Sequence, residues 1–356
     1  MRKYISKLHY KKHPNPLDIG VLFALLPASF FYNIGVTIRN FAYQIGIMKT
    51  YMPEIKTISV GNLTTGGVGK TPLVKAIADY LVEIGERPAI LSRGYGAKLD
   101  KKDINIISDG KRIFHNVENA GDEPTWLAQN CKQTAVLTSS SRVSIAKYAQ
   151  ERLKCTALIL DDGFQHIKLG RHLNILVIDY EKRFGNHLLL PAGPLRECSK
   201  GIKRADKIVV INKTQNVIEA KSYCEKLKKK HRKPTFLANM EFEKIYSLMS
   251  DSEIKRPKKV LAFCAIGQPE QFFAQLKENG IDIVTEKSFD DHYSYTLKDF
   301  NFLIEEATKT QCEQLITTEK DAVKLKALLK KNDCILEKEV LVVKSTLDID
   351  IEELLK

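Results

Sequence analysis

A glycine-rich segment followed by Lys70 and Thr71 contains the residue types best suited to chemistry in this sequence. It reads SVGNLTTGGVGKTP over residues 59–72, between a strand-like run and a helix-like run. Glycines at such a junction let backbone amides turn towards an anion at the start of the helix. In loops of this type the lysine reaches the β- and γ-phosphates of a nucleotide, and the threonine hydroxyl binds Mg²⁺. We therefore expect a nucleoside triphosphate to bind Gly66, Gly67, Val68, Gly69, Lys70, Thr71 and Pro72.

The loop departs from the strict pattern G-x-x-x-x-G-K-[ST], because Thr64 stands where the first glycine is expected. A GTPase would need N-K-x-D after a late strand, but Asn212-Lys213 is followed by Gln215 in the aspartate position. Partition and motor ATPases carry a lysine before the glycine pair, where this chain has Thr65. A small-molecule kinase is the best class. The alternative is a partition-type or metal-delivering ATPase that acts through protein partners.

Asp161 and Asp162 follow an apolar, strand-like run and complete the predicted nucleotide site. Ligands of parallel α/β sheets bind at the carboxyl ends of strands, so this pair favours a Mg²⁺ site over a helix cap or a solvated loop. His166 follows closely and is a candidate for contacting phosphate or orienting a carboxylate. Guanidinium groups bind phosphate through two hydrogen bonds. Three arginines are candidates for phosphate contacts or for structural ion pairs: Arg93, Arg142 and Arg196.

From Thr57 onward the chain alternates between strand-like and helix-like segments. Near-continuous apolar strands between helices are typical of a parallel sheet that is covered on both faces. A Lys-rich stretch at 217–234 has no interleaved aromatic pattern, so it indicates a solvated helix and not a nucleic-acid site. We predict an α/β fold with a P-loop NTPase-like domain at 51–237 and a smaller α/β domain at 238–356.

The charge balance indicates anionic partners, because 56 Lys and Arg residues against 43 Asp and Glu residues give a net charge of +13. The 7 cysteines lack disulfide or zinc spacing.

Residues 1–50 are basic and then apolar. We expect Pro27 to interrupt the apolar run, so that it does not span a membrane. Beyond Pro27, apolar residues recur at helical spacing, which predicts an amphipathic helix on a membrane interface or against its own domain.

Seven motifs occur in one order along the chain: VGNLTTGGVGKTP (60–72), SRGYG (92–96), GDEP (121–124), DDGFQH (161–166), LPAGPLRE (190–197), FDDHYSYT (289–296) and TTEKDAVKL (317–325). Together they closely resemble the tetraacyldisaccharide 4'-kinases, the lipid A 4'-kinases of Gram-negative bacteria. The resemblance covers nearly the whole chain. It implies ATP-dependent phosphorylation of the 4'-hydroxyl of a tetraacyldisaccharide 1-phosphate, by a peripheral enzyme at the cytoplasmic face of the inner membrane. The implied partners are this glycolipid and the membrane interface, with no obligate protein partner.

The resemblance also assigns roles to individual residues. The family's catalytic pair, an Asp of the GDEP motif and a His of the D-H motif, falls on Asp122 and His292. A second histidine often follows in the family, but Tyr293 stands there in this chain. A carboxylate within hydrogen-bond reach of a sugar hydroxyl can take its proton during phosphoryl transfer. The family's phosphate and metal roles fall on Lys70, Thr71, Glu123, Asp161 and Asp162.

Overall fold

The computed structural model describes residues 2–94, 97–334 and 336–356. The strands are β1 (Lys56–Gly61), β2 (Pro88–Ser92), β3 (Asn105–Asp109), β4 (Ala135–Thr138), β5 (Ala157–Asp161), β6 (Leu173–Asp179), β7 (Lys207–Asn212), β8 (Thr235–Ser247), β9 (Val260–Cys264), β10 (Ile283–Ser288), β11 (Gln314–Thr318) and β12 (Glu339–Asp348). The helices are α1 (Arg2–Leu8), α2 (Pro16–Gln44), α3 (Lys70–Glu83), α4 (Val117–Ala120), α5 (Asp122–Asn130), α6 (Arg142–Glu151), α7 (Val217–His231), α8 (Pro269–Glu278), α9 (Leu297–Lys309), α10 (Glu319–Lys331) and α11 (Ile351–Leu355). A 3₁₀ helix covers Ser199–Arg204.

These strands form one sheet in the order β10-β9-β11-β12-β8-β7-β6-β1-β5-β2-β4-β3. Neighbouring strands are parallel except for the pairs β3–β4 and β8–β12. Helices cover both faces because side chains alternate along each strand. In β5, Ile159 packs in the cluster that contains Leu73 of α3, whereas Leu158 and Leu160 pack in the cluster that contains Ile145 of α6. The predicted α/β fold class is confirmed.

Strand β8 connects the strands β1–β7 to the strands β9–β12. Residues 235–239 pair with β7, and residues 239–247 pair with β12 in the antiparallel sense. The expected domain boundary between residues 237 and 238 therefore lies inside this strand, and the three-part division of the chain stays a prediction. The β8–β12 ribbon contains a register shift between Lys344 and Ser345. Such irregularities increase the local twist of a pair of strands.

Helix α2 differs from the expectation for the N-terminal segment. Pro27 does not interrupt it, and the helix is continuous from Pro16 to Gln44. A proline removes one N–H donor of the helix, the one that would meet the carbonyl of Phe23, and the helix continues on both sides of it. The helix is long and apolar enough to cross a membrane, with a mean hydropathy of 1.8 over its most apolar window. Only 6% of that window is buried, so the helix is not part of the core.

Candidate active site

The glycine-rich loop connects β1 to α3, as the sequence predicts. Gly66 and Gly69 have φ values of 103° and 89°, a region that side chains other than glycine rarely adopt. A Cβ added to Gly69 would lie 3.0 Å from the Ile211 side chain, so the turn is also tightly packed. Helix α3 then begins at Lys70, which places Thr71 and Pro72 in its first turn. This geometry provides an anion-binding loop at a helix N-terminus.

Lys70 points towards two polar side chains near the carboxyl ends of β1 and β5. Its Nζ donates to Asn62 Oδ1 at 2.8 Å and lies 3.2 Å from Asp162 Oδ1. Arg196 Nη1 donates to Asp162 Oδ2 at 2.7 Å, so this arginine forms an ion pair instead of standing free for phosphate. Burial raises the pKa of Asp162, but Lys70 and Arg196 outweigh that effect and hold the pKa well below its usual range. Asp162 is therefore ionised at neutral pH.

Asp161 and Glu123 lie close to Asp162 and add further negative charge to this part of the site. Burial, together with the neighbouring carboxylates of Glu123 and Asp162, raises the pKa of Asp161 to about 7. Among the described residues, no three His, Cys, Asp or Glu side chains are grouped so that they could hold a metal ion. Mg²⁺ needs no such group, because it binds one or two carboxylates and completes its shell with water and phosphate oxygens. The crowded carboxylates fit a divalent cation, which would offset their repulsion.

The predicted pair Asp122 and His292 is in direct contact. His292 Nδ1 lies 2.9 Å from Asp122 Oδ2 and 3.2 Å from Oδ1, although 170 positions separate the two residues. Burial raises the pKa of Asp122, but the hydrogen bond and charge of His292, with nearby Lys320 and Lys324, lower it far below its usual range. The same hydrogen bond raises the pKa of His292. Both shifts favour the form in which Asp122 is a carboxylate and His292 carries the proton between them.

Two lysines of α10 were not among the predicted site residues. Lys320 forms an ion pair with Glu123, and Lys324 Nζ lies 3.8 Å from Asp122 Oδ2 and 3.0 Å from Asp321 Oδ1. Residues four apart lie on one face of a helix, so both lysines reach the first turn of α5. The motif TTEKDAVKL contains them, but spacing alone does not show which carboxylates they meet.

Residues after β9 and β10 also meet the glycine-rich loop. A Cβ added to Gly267 would lie 3.2 Å from Asp291 Oδ2 and 3.6 Å from the amide nitrogen of Gly67. Lys213 Nζ donates to the Gly67 carbonyl at 3.1 Å and to Gln268 Oε1 at 2.9 Å. In an N-K-x-D motif, the lysine at this position would contact guanine. Here Lys213 supports the glycine-rich loop. The site lies where the strands β1–β7 face the strands β9–β12.

The remaining predicted residues lie near Asp161 with fewer direct contacts. Arg142 is buried, and its Nη2 lies 3.5 Å from the Asp161 carbonyl. Burial and the charges of Arg142 and Arg171 lower the pKa of His166 to about 4, and no described residue bonds its buried Nε2. Arg93 is exposed after β2, close enough for its charge to lower the pKa of His166. The last two residues of the SRGYG motif, Tyr95 and Gly96, lie outside the described residues.

A glycine-rich loop with its lysine, adjacent strand-end carboxylates and a carboxylate–histidine pair define a P-loop phosphotransferase. The chain belongs to the tetraacyldisaccharide-1-P 4'-kinase family (LpxK), whose family model matches residues 21–356. A tetraacyldisaccharide 4'-kinase of Geobacter metallireducens is 39% identical over 325 residues, covering 88% of this chain and 92% of that one. One from Desulfotalea psychrophila is 37% identical over 310 residues, covering 86% and 88%.

A solved structure shows the same fold. LpxK of Aquifex aeolicus, crystallised in complex with ATP, has a TM-score of 0.72 and is 34% identical. The match covers 94% of this chain and 97% of that one. The predicted family and the predicted enzyme class, an ATP-dependent kinase, are confirmed. Membership in a kinase family decides against the partition-type or metal-delivering alternative.

Proposed function

We propose that this chain transfers the γ-phosphoryl group of ATP to the 4'-hydroxyl of a tetraacyldisaccharide 1-phosphate. The family and its named relatives support the reaction. The observation that carries the proposal is the hydrogen bond between Asp122 and His292. The neighbour of His292, Asp291, lies against Gly267, which approaches Gly67 of the glycine-rich loop. A carboxylate fixed in this way next to a phosphate-binding loop is suited to receive the proton of an attacking hydroxyl.

In this mechanism Asp122 positions the acceptor hydroxyl and takes its proton as the phosphoryl group arrives. The low pKa of Asp122 makes it a weak base. A weak base is sufficient, because phosphoryl transfer depends mainly on positioning and charge stabilisation. His292 keeps the carboxylate oriented and, together with Lys320 and Lys324, lowers its pKa. Lys70 stabilises the charge of the transferring phosphoryl group.

We assign Thr71, Glu123, Asp161 and Asp162 to the Mg²⁺ site, where one or two of the carboxylates would bind the ion directly and the others would hold its water ligands. When it is bound, Mg²⁺ neutralises charge on the nucleotide phosphates. Arg93, Arg142 and His166 form the cationic and polar side of the site near Asp161, so we assign them to phosphate groups of the substrates. Arg196 acts indirectly by holding Asp162.

We also propose that α2 lies on the surface of the membrane instead of spanning it. Large apolar side chains such as Phe23, Phe30 and Phe41 are exposed along it. Ser29 Oγ donates to the Leu189 carbonyl at 3.0 Å, and further contacts follow at Tyr32 and Asn40. Only 13 residues of the helix precede Ser29, and at 1.5 Å per residue they measure about 20 Å. This length is shorter than the hydrocarbon core of about 30 Å.

A lipid acceptor with its acyl chains in the bilayer and an anionic head explains such a helix and the surplus of basic residues. We place the enzyme at the cytoplasmic face of the inner membrane, where ATP is present. Phe30→Glu combined with Phe41→Glu should reduce binding to anionic vesicles and activity on the lipid, while ATP affinity is unchanged. The matched control is Asn33→Ala on the same helix. Unchanged vesicle binding in the double variant would contradict the interfacial role of α2.

The reaction itself is tested by incubating the protein with γ-labelled ATP and a tetraacyldisaccharide 1-phosphate in detergent micelles. The lipid products are then separated, and the position of the label is determined. We expect the label on the 4'-position. A folded protein that binds ATP but labels no lipid would refute the proposed acceptor.

A further inference from the structure

Helix α2 contacts two consecutive residues, Arg196 and Glu197. Their segment bonds the glycine-rich loop, since the Arg196 amide donates to the Leu63 carbonyl at 2.7 Å. Tyr32 Oη donates to the Arg196 carbonyl at 2.8 Å, and Asn40 Nδ2 donates to Glu197 Oε2 at 3.2 Å. Glu197 is only 1% exposed although it carries a charge. Arg204 pairs with both of its carboxylate oxygens at 2.7 Å. A buried carboxylate needs such partners to remain ionised.

From Glu197 a chain of hydrogen bonds reaches the lysine of the loop. Gln165 Nε2 donates to Glu197 Oε1 at 3.0 Å and also to the Asn62 carbonyl at 2.8 Å. Asn62 Oδ1 accepts from Lys70 Nζ at 2.8 Å. The Asn62 side chain also donates to the Thr64 carbonyl at 2.7 Å, so it fixes the start of the loop.

The packing around Glu197 leaves it little freedom to move. A Cβ added to Gly201 would lie 3.0 Å from Glu197 Oε2. Its hydrogen-bond partners come from α2, from the loop after β5 and from the 3₁₀ helix. Asn40 and Gln165 bond the two oxygens of the same carboxylate, Asn40 at Oε2 and Gln165 at Oε1, so each constrains the group that the other holds.

We propose that Glu197 is a positioning residue for Lys70, and that α2, through Asn40, is part of the support of the nucleotide site. This inference rests on the proposed function only in taking Lys70 as the lysine that binds ATP phosphates. On this proposal, α2 both meets the lipid and helps to set the geometry of the glycine-rich loop that binds ATP. Neither Glu197 nor Asn40 touches the reacting groups.

The test is the binding of a fluorescent ATP analogue, measured without any lipid, to the full-length protein. Asn40→Ala should weaken binding about 3- to 10-fold, because the lost bond to Glu197 acts on Lys70 only indirectly and only part of its strength reaches the nucleotide. Asn33→Ala is the matched control, because Asn33 lies on the same helix and its side chain accepts from nearby Thr37 at 3.4 Å. It should change binding by about 2-fold or less.

A double-mutant cycle separates positioning from general loss of stability. If Asn40 acts through Glu197 and Gln165 on Asn62, the variant Asn40→Ala with Asn62→Ala should bind the analogue scarcely more weakly than Asn62→Ala alone. The proposal would be overturned if the losses of affinity in the two single variants multiplied in the double variant. It would also be overturned if Asn40→Ala bound the analogue as well as Asn33→Ala does. Glu197→Gln gives a second measurement, and it should weaken ATP binding while thermal unfolding confirms that the protein is folded. Because the assay contains no lipid, a wrong acceptor assignment would not affect its outcome.

Discussion

The contact between Asp122 and His292 makes a quantitative prediction about catalysis. If His292 acts only through Asp122, removing both side chains should be scarcely worse than removing Asp122 alone. His292 has a φ of 61°, where alanine would be strained. His292→Gly therefore removes the ring without adding backbone strain, and Asp122→Ala removes the carboxylate.

The expected magnitudes follow from the geometry. The 2.9 Å bond between His292 Nδ1 and Asp122 Oδ2 is charge-assisted, and such bonds contribute about 2 kcal/mol. Its loss corresponds to a rate decrease of about 30-fold. Loss of a positioned general base typically lowers the rate about 10³-fold. Independent roles would then give a loss of about 3 × 10⁴-fold in the double variant, whereas a single functional unit would give about 10³-fold.

The assay is single-turnover phosphorylation of the lipid acceptor at saturating ATP, so that the chemical step is observed. Tyr293→Phe is the matched control, because it removes only the hydroxyl that donates to Asp299. His292→Asn keeps a donor and tolerates the positive φ, so it should recover part of the rate. A double variant about 30-fold slower than Asp122→Ala would refute the single-unit interpretation.

Changes in the glycine-rich loop, at the proposed metal site and in β1 should have distinct effects. Lys70→Ala should lower turnover by orders of magnitude, and near-normal turnover in a folded variant would exclude this loop as the ATP site. Asp161→Asn and Asp162→Asn should each raise the Mg²⁺ concentration for half-maximal rate, and unchanged values in both would place the metal elsewhere. Gly61→Ala should lower the free energy of unfolding by about 1–3 kcal/mol, because its Cβ would lie 2.5 Å from the Phe164 amide nitrogen. In denaturant titrations, Gly35→Ala on α2 should not be destabilising.

The fold class and the phosphate loop were predictable because both are encoded locally. Apolar runs such as β5, a glycine-rich turn and the start of α3 each lie within a few consecutive residues. Strand β8 was not predicted, because Glu241, Glu243 and Lys244 interrupt its apolar pattern. It forms nonetheless, because pairing with both β7 and β12 satisfies its backbone.

The site could be predicted only in part, because its members come from distant segments. The family resemblance named Asp122 and His292 together, but the residue pattern alone gives no distance between them. The sequence did not predict Lys320, Lys324 and Glu197 as site residues, because charged residues in a helix or loop are usually solvated. Their significance depends on burial and on partners, which only the folded chain supplies.

The arrangement of charges around Asp122 also supports the modest loss expected for His292. Val323 of α10 packs in the same apolar cluster as Leu73 and Ile77 of α3, so α10 is fixed independently of His292. Lys320 and Lys324 therefore remain near Asp122 when the imidazole is removed. Because their charges also lower the pKa of Asp122, the carboxylate should stay ionised at neutral pH in His292→Gly. The variant then loses orientation of the base but not the base itself, which is why the expected decrease is about 30-fold and not about 10³-fold.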